Sequence, residues 1–130
     1  MKLPTRRPSV LVIEDDFLQA QSTAAILRDI DLQVVGPFGD MAQAMSALRA
    51  QAVDCVLTDL DLGSGPEFAA LRQVSASGTP VVLVTGYGPQ ALPSDILDLR
   101  RVEKPFLGGV LVEAVTAALQ SKAEASPTRI

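Results

Sequence analysis

The chain has 130 residues, of which 48% are hydrophobic and 4% aromatic, and its formal net charge at pH 7 is −4. This length fits one domain with a real core, and the negative charge predicts no binding to nucleic acid. The sequence has no histidine and one cysteine, which excludes Ser-His-Asp and Cys-His catalysis, histidine-ligated zinc and an internal disulfide. The single cysteine and the lack of a signal peptide or membrane span predict a cytoplasmic protein that does not bind a membrane.

Short aliphatic runs and helical periodicity alternate through the first third of the chain. Val10–Ile13 is a continuous aliphatic run that predicts a buried strand, and the apolar residues of Phe17–Ile30 recur at helical spacing. The second predicted strand, Leu32–Gly36, is closed by Gly36-Pro37. Asp40 follows and is predicted to cap the second helix.

The rest of the chain repeats this alternation three times. Two prolines after the fourth strand delay a regular helix until about Ser94, which is predicted as its cap. Five strand–helix units predict an α/β fold, a doubly wound five-stranded parallel sheet with helices on both faces. The expected domain is 9–120, with flexible ends at 1–8 and 121–130. The remaining strands are predicted at Val53–Thr58, Val81–Val84 and Arg100–Glu103, and the remaining long helices at 68–74 and 107–119.

Polar side chains follow four of the predicted strands, at the point where each strand ends. They are Glu14 and Asp15, Asp59, Thr85, and Lys104. In a parallel sheet these ends lie along one edge, so the carboxylates would repel each other unless a cation joined them. Mg²⁺ prefers oxygen ligands and phosphate. The sequence therefore predicts a magnesium site at which Asp59 accepts a phosphoryl group, whose charge Lys104 helps to neutralise.

These motifs resemble the receiver domain of response regulators, the CheY-like family, over roughly residues 9–120. The resemblance rests on Val-Leu-Val-Ile-Glu-Asp-Asp at 10–16, on Asp59, on Val-Thr-Gly at 84–86 and on Glu-Lys-Pro-Phe at 103–106. It implies the strand order 2-1-3-4-5. It also implies a two-component phosphorelay in which a histidine kinase or a histidine phosphotransfer protein phosphorylates Asp59.

The resemblance further implies a role for each acidic residue of the site. Asp15 would bind Mg²⁺ directly, Glu14 would act through water, and Asp59 and the backbone carbonyl of Asp61 would complete the protein ligands. The catalytic pair would be Asp59 and Lys104. Their chemistry is limited to self-phosphorylation and self-dephosphorylation, which describes a signalling switch and not a metabolic enzyme.

The phosphoryl oxygens, by the same resemblance, would be bound by Thr85 and Lys104, and the Lys104-Pro105 bond would be cis. Receivers usually carry an aromatic switch residue three positions before the lysine, but here that position is Arg101. The run 84–88, Val-Thr-Gly-Tyr-Gly, is similar to a receiver subgroup with a Phe-Ala-Thr-Gly-Tyr motif and a loosened fourth helix. We hypothesise that Tyr87 reports phosphorylation and that 86–99 is mobile without phosphate.

Two positions are expected to tune the lifetime of the phosphorylated state. In the receiver family, Asp61 and Tyr87 would face the attacking water. The expected readout is a downstream protein that contacts helix 4, strand 5 and helix 5, or competition for phosphoryl groups as a sink, since the sequence shows no output domain. The protein is expected to be a monomer or a phosphorylation-dependent homodimer.

Two alternatives to phosphorelay signalling remain open at this point. Thr-Asp-Leu-Asp-Leu at 58–62 also resembles the nucleophile motif of haloacid-dehalogenase-type phosphatases, in which Asp59 and Asp61 would act. That motif normally lies on the first strand, whereas here it follows the third. The other alternative is a receiver-like module that binds partners without phosphorylation.

Overall fold

The fold of residues 7–62, 67–86 and 88–125 is described by a computed structural model. Its five strands form one parallel sheet in the order β2-β1-β3-β4-β5, as the family resemblance implied. The strands are β1 (Ser9–Ile13), β2 (Gln33–Phe38), β3 (Cys55–Asp59), β4 (Val81–Thr85) and β5 (Arg100–Glu103). The helices are α1 (Phe17–Asp29), α2 (Met41–Ala50), α3 (Phe68–Ala76), α4 (Ser94–Leu97) and α5 (Gly108–Ala125), with a 3₁₀ turn at Pro89–Ala91.

The three central strands are buried along their whole length, which explains their uninterrupted aliphatic runs. Alternate side chains enter two separate cores. On one face Leu11, Val56 and Leu83 pack with residues of α2, α3 and α4. On the other face Val12 and Leu57 pack with residues of α1 and α5. The predicted three-layer architecture is therefore confirmed.

Strand β2 does not end at Gly36-Pro37 as predicted, but continues through a cis Gly36-Pro37 bond to Phe38. A proline is tolerated there because β2 is an edge strand, on which the missing N–H breaks no ladder on the open side. Gly36 has φ +100, and a Cβ at this position would lie only 2.9 Å from the backbone nitrogen of Phe38 and 3.1 Å from the carbonyl of Val12. The pairing with β1 shifts register at this point, and the backbone N–H of Glu14 donates to the carbonyl of Phe38 at 2.8 Å.

Helix α1 begins with a side-chain cap, but its first apolar residues do not enter the core. Asp16 accepts a hydrogen bond from the backbone N–H of Gln19 at 2.9 Å. Phe17 was predicted to belong to the buried stripe, yet it is 72% exposed, and Leu18 is 76% exposed. Both lie on the first turn, beyond the end of β1, where no core side chain covers them.

The two C-terminal helices also differ from the prediction at their ends. Ser94 is the first residue of α4 and not its cap, because Pro93 occupies the cap position. Leu107 lies outside α5 and is 78% exposed. Helix α5 continues to Ala125 instead of stopping near Gln120, and in this extension the ammonium of Lys122 contacts Asp54 at 3.2 Å. Among the described residues, no helix is both long enough and apolar enough to cross a membrane.

Candidate functional site

The carboxyl edge of the sheet brings three acidic side chains together. Glu14 and Asp15 follow β1, and Asp59 is the last residue of β3. Parallel pairing of β1 with β3 sets Ile13 beside Thr58, so the residues after them are neighbours as well. One carboxylate oxygen from each of Glu14, Asp15 and Asp59 lies within 4.8 Å of the other two. This is the juxtaposition that the sequence predicted from residues more than forty positions apart.

The Asp59 carboxylate is buried, with its side chain only 3% exposed, and both of its oxygens are held. The backbone N–H of Asp61 donates to Oδ1 at 2.8 Å, and the Lys104 ammonium donates to Oδ2 at 2.8 Å. Charge-assisted hydrogen bonds of this length are stronger than neutral ones. The Asp59 carboxylate is therefore held in one orientation at the bottom of the site.

Glu14 is the acid whose protonation responds most to this environment. Burial raises the pKa of Glu14 to about 7, the hydrogen bond from the Asp16 N–H opposes the shift, and the charge of Asp59 adds to it. That N–H donates to Oε2 at 3.0 Å. Near neutral pH, Glu14 thus exchanges a proton easily, and a bound cation would favour its ionised form.

Lys104 stays charged although it is partly buried. Burial lowers the pKa of Lys104, but its hydrogen bond with Asp59 and the surrounding carboxylates outweigh burial, so that the pKa lies above its ordinary value. The Lys104 backbone N–H donates to the carbonyl of Thr85 at 2.9 Å. The Lys104-Pro105 bond is cis, as the family resemblance implied. These contacts fix the start of the loop that carries the ammonium.

The other predicted site residues lie at different distances from this centre. Thr85 is fully buried at the end of β4, and its preceding residue pairs with Asp59. Asp61 is exposed and contacts Asp59 through its backbone. Tyr87 lies outside the described residues. Arg101 does not reach the carboxylates by any hydrogen bond of the described residues, and its guanidinium lies 3.7 Å from Glu103.

The donor set fits Mg²⁺. Three carboxylates offer hard oxygen ligands from one edge of the sheet. Burial, with a smaller contribution from the charge of Asp59, raises the pKa of Glu14, and a bound cation would favour its ionised form. Glu14, Asp15 and Asp59 are the residues that would hold the ion. The Lys104 ammonium lies on the Oδ2 side of Asp59, 2.8 Å from that oxygen.

A cavity of about 310 Å³ opens beside these carboxylates, and the sequence reasoning missed it. Its floor is formed by Val12, Leu57 and Val84 of the sheet, and Leu18 and Phe106 line its sides. The sequence signal was Gly108, which lines the cavity and leaves space at the beginning of α5 beside Ile26. The cavity gives the Asp59 edge an apolar border open to solvent.

Comparison with known proteins places the chain in a family. The model described as the response regulator receiver domain matches residues 10–116. The chain belongs to the response regulator receiver domain family. The receiver fold is also shared with a signal receiver domain of an HD domain-containing protein from Pseudomonas fluorescens, at TM-score 0.84 and 22% identity over 95% of both chains. A CheY-like receiver from Methanospirillum hungatei matches at TM-score 0.80 and 18% identity, covering 92% of this chain and 99% of that one.

Curated relatives carry receiver sequences within longer proteins. The DNA-binding response regulator MtrA of Mycolicibacterium smegmatis is 32% identical over 91% of this chain and 53% of its own length. A protein-glutamate methylesterase/protein-glutamine glutaminase of Anaeromyxobacter dehalogenans is 30% identical over 76% of this chain and 29% of its own length. The match thus spans about half the length of MtrA (53%) and less than a third of the methylesterase (29%). The comparisons do not assign the chain to the subgroup with the Phe-Ala-Thr-Gly-Tyr motif.

Proposed function

We propose that this receiver domain accepts a phosphoryl group on Asp59 from a histidine kinase or a histidine phosphotransfer protein, with Mg²⁺, in two-component signalling. One observation carries the proposal. The Asp59 carboxylate lies 2.8 Å from the Lys104 ammonium and 2.8 Å from the Asp61 N–H, with oxygens of Glu14 and Asp15 within 4.8 Å of its own. A buried nucleophile, a cation and a set of metal ligands thus share one edge.

The chemistry is a transfer between two nucleophiles. A carboxylate oxygen of Asp59 attacks the phosphorus of a phosphohistidine, a P–O bond forms, and the P–N bond breaks with the electron pair leaving on the imidazole nitrogen. The ion, when bound, neutralises charge on the phosphoryl oxygens. The Lys104 ammonium, already at Asp59, is placed to exchange its carboxylate acceptor for a phosphoryl oxygen, and the Thr85 hydroxyl to donate to another. Reversal of the switch is attack by water on phosphorus, which releases phosphate and restores the carboxylate.

The surface around the site supports docking of a protein donor. Phe17 and Leu18 are 72% and 76% exposed, and Leu107 is 78% exposed. Leu18 also lines the cavity beside Asp59. Exposed apolar side chains that form a contiguous patch mark interaction surfaces. For the output we propose contact of α4, β5 and α5 with a downstream protein, or action as a phosphate sink. We further propose a cytoplasmic monomer or a phosphorylation-dependent homodimer that binds neither nucleic acid nor membrane.

A role in signalling, and not in metabolic catalysis, is consistent with membership of the response regulator receiver domain family. The phosphatase alternative is not favoured, because Asp59 and Asp61 follow the third strand of a receiver sheet and the matched family is a signalling family. The phosphorylation-independent module is an outcome of the test that follows.

The test is intact-mass analysis after incubation with acetyl phosphate, with and without Mg²⁺, followed by mapping of the modified residue. We expect one phosphoryl group, dependent on Mg²⁺ and labile to hydroxylamine, on the wild-type chain. Asp59→Asn should abolish it. Asp31→Asn is the matched control, since Asp31 is an exposed acid at positive φ, which asparagine tolerates, at the other end of α1. An equal yield in Asp59→Asn would place the acceptor elsewhere, and no adduct at all would favour the phosphorylation-independent module.

A further inference from the structure

Arg101 lies on the edge strand of an acidic protein with its side chain mostly withdrawn from solvent. It pairs with Leu83, and Glu103 pairs with Thr85, so both point to the face covered by α4. The side chain is 23% exposed. The neighbouring Arg100 pairs with Val82 of the opposite core and is exposed. The two adjacent arginines therefore occupy different environments: Arg101 is largely covered by the protein, whereas Arg100 is exposed to solvent.

The Arg101 guanidinium lacks an acceptor that its burial requires. Its Nη1 is buried and makes no hydrogen bond with any residue in the described part of the chain. The nearest carboxylate oxygen, Oε2 of Glu103, lies 3.7 Å away, beyond hydrogen-bond distance, and that side chain is 62% exposed. A buried N–H without an acceptor costs free energy, which an incoming acceptor would recover.

An open groove runs beside this guanidinium. Its volume is about 710 Å³, and its apolar rim includes Leu107 and Val110, which are 78% and 47% exposed. We call it the β5 groove and define it by Leu97, Leu99, Arg101, Glu103, Leu107 and Val110. It combines one cation with several aliphatic side chains at a sheet edge that has no neighbouring strand.

We propose that the β5 groove binds a protein segment in which a carboxylate side chain is flanked by aliphatic side chains. The carboxylate would take the Arg101 guanidinium in a forked pair, and the aliphatic groups would cover Leu107 and Val110. This inference rests on the proposed function in one respect, namely that a downstream protein contacts the α4, β5 and α5 face. It adds the chemistry of the partner.

The surroundings of the groove favour an acidic protein segment over other anions. The chain carries a net charge of −4, and Glu103 borders the groove, which opposes an extended polyanion such as nucleic acid. The exposed aliphatic rim gains from contact with aliphatic side chains, which a bare anion does not offer. Arginine is also among the residues enriched at the energetically dominant positions of protein interfaces.

Glu103 acts in this proposal as an internal competitor. It is close enough to attract the guanidinium but too far to hydrogen-bond with it. Removing its charge should therefore strengthen binding of an external carboxylate. A purely structural role for the Arg101–Glu103 pair predicts no such gain.

The test is an NMR titration of the full chain with two peptides, acetyl-Leu-Glu-Leu-amide and acetyl-Leu-Gln-Leu-amide. We follow the backbone amides of 97–110 and the Arg101 side-chain N–H. The glutamate peptide should give saturable shifts at the β5 groove and bind about tenfold more tightly than the glutamine peptide, the factor for one charged hydrogen-bonded pair. This comparison needs no variant, so it stands even if a variant fails to fold.

Matched variants distinguish specific binding at the β5 groove from an effect of the net charge of the chain. Arg101→Gln should lose the preference for glutamate, whereas Arg100→Gln, the same change of charge one residue away, should keep it. Glu103→Gln should tighten glutamate-peptide binding. Equal binding of both peptides, or equal losses in Arg100→Gln and Arg101→Gln, would overturn the proposal. So would self-association of the chain through the same residues, seen by sedimentation, because the occupant would then be a second copy.

Parallel intact-mass analysis distinguishes this proposal from the proposed function. Peptide binding at Arg101 without phosphorylation of Asp59 would sink the proposed function alone. Phosphorylation of Asp59 with no glutamate-specific binding would sink only the inference about the β5 groove.

Discussion

At the scale of single residues, the central contact of the site is the ion pair between Asp59 and Lys104. The carboxylate is 3% exposed and the ammonium 25% exposed, at 2.8 Å. A buried carboxylate that loses such a cationic contact keeps its desolvation penalty without the compensating attraction. The pair therefore couples the stability of the fold to the integrity of the site.

Lys104→Met should lower the free energy of unfolding by about 2 kcal/mol, less than the roughly 3–5 kcal/mol of fully buried pairs because part of the lysine is solvated. Urea unfolding at pH 7 without metal measures this change. The same substitution in an Asp59→Asn background should cost clearly less, since no buried charge is then left unpaired. Equal costs in the two backgrounds would show that the lysine stabilises through its aliphatic chain.

Glu14 should make metal affinity depend on pH. Its pKa is raised to about 7, so metal binding must displace a proton below that pH and need not do so above it. Mg²⁺ should bind about tenfold more tightly at pH 8 than at pH 6, measured by titration calorimetry. Glu14→Gln should flatten this dependence, and a wild-type affinity equal at both pH values would contradict the assignment.

The raised pKa of Glu14 also makes the stability of the metal-free fold depend on pH. Because the folded-state pKa of Glu14 lies above the ordinary value of 4.5, the folded chain binds this proton more tightly than the unfolded chain does. The contribution of Glu14 to stability is therefore fully present below pH 4.5 and is lost as pH rises through about 7.

Among the elements, α4 is held by very few groups. It has four residues, and Ile96 is 1% exposed in the core with α2 and α3. Arg72 of α3 forms a forked ion pair with Asp95 at 2.6 Å, but both side chains are about half exposed. Packing should therefore hold α4 more strongly than the ion pair. The hypothesis that 86–99 is mobile without phosphate stays a prediction, which backbone NMR relaxation showing this segment as rigid as the sheet would contradict.

Ile96→Ala should lower the free energy of unfolding by about 3 kcal/mol, because it leaves a cavity under α4. Arg72→Ala is the matched surface control and should change stability little, since solvent screens the pair. Thermal and urea unfolding measure both variants. A larger loss in Arg72→Ala than in Ile96→Ala would mean that the ion pair, and not the core, holds the helix.

For the whole molecule, the metal site exists only when β1 and β3 are paired, because Glu14, Asp15 and Asp59 meet at their ends. A ligand that binds only the folded state stabilises it by mass action. Mg²⁺ at a hundredfold excess over its dissociation constant should therefore add about 2.7 kcal/mol. Asp15→Ala should remove the increase in melting temperature, with Asp16→Asn as a control that keeps the helix cap. Retention of the increase in Asp15→Ala would place the ion elsewhere.

Much of this arrangement could be predicted because the signals are local. Aliphatic runs predicted the strands, and Asp40 caps α2 as expected, with the Gln43 N–H at 2.8 Å. The exposed positions of Phe17 and Leu107 could not be predicted, since each lies within an apolar periodic pattern and only the ends of the sheet decide where the core stops. The continuation of β2 through Pro37 also depended on its edge position, which is a property of the assembled sheet.

The sequence alone determined the alternation of strands and helices, the family, and which polar residues follow the strands, because each of these depends on neighbours along the chain. Only the tertiary structure decided that Lys104 and the Asp61 N–H hold opposite oxygens of Asp59. It alone also decided that the pKa of Glu14 rises to about 7 and that Nη1 of Arg101 is buried without an acceptor among the described residues. The physical reason is that distance, burial and electrostatic environment arise from groups far apart in sequence, which meet only when the sheet closes.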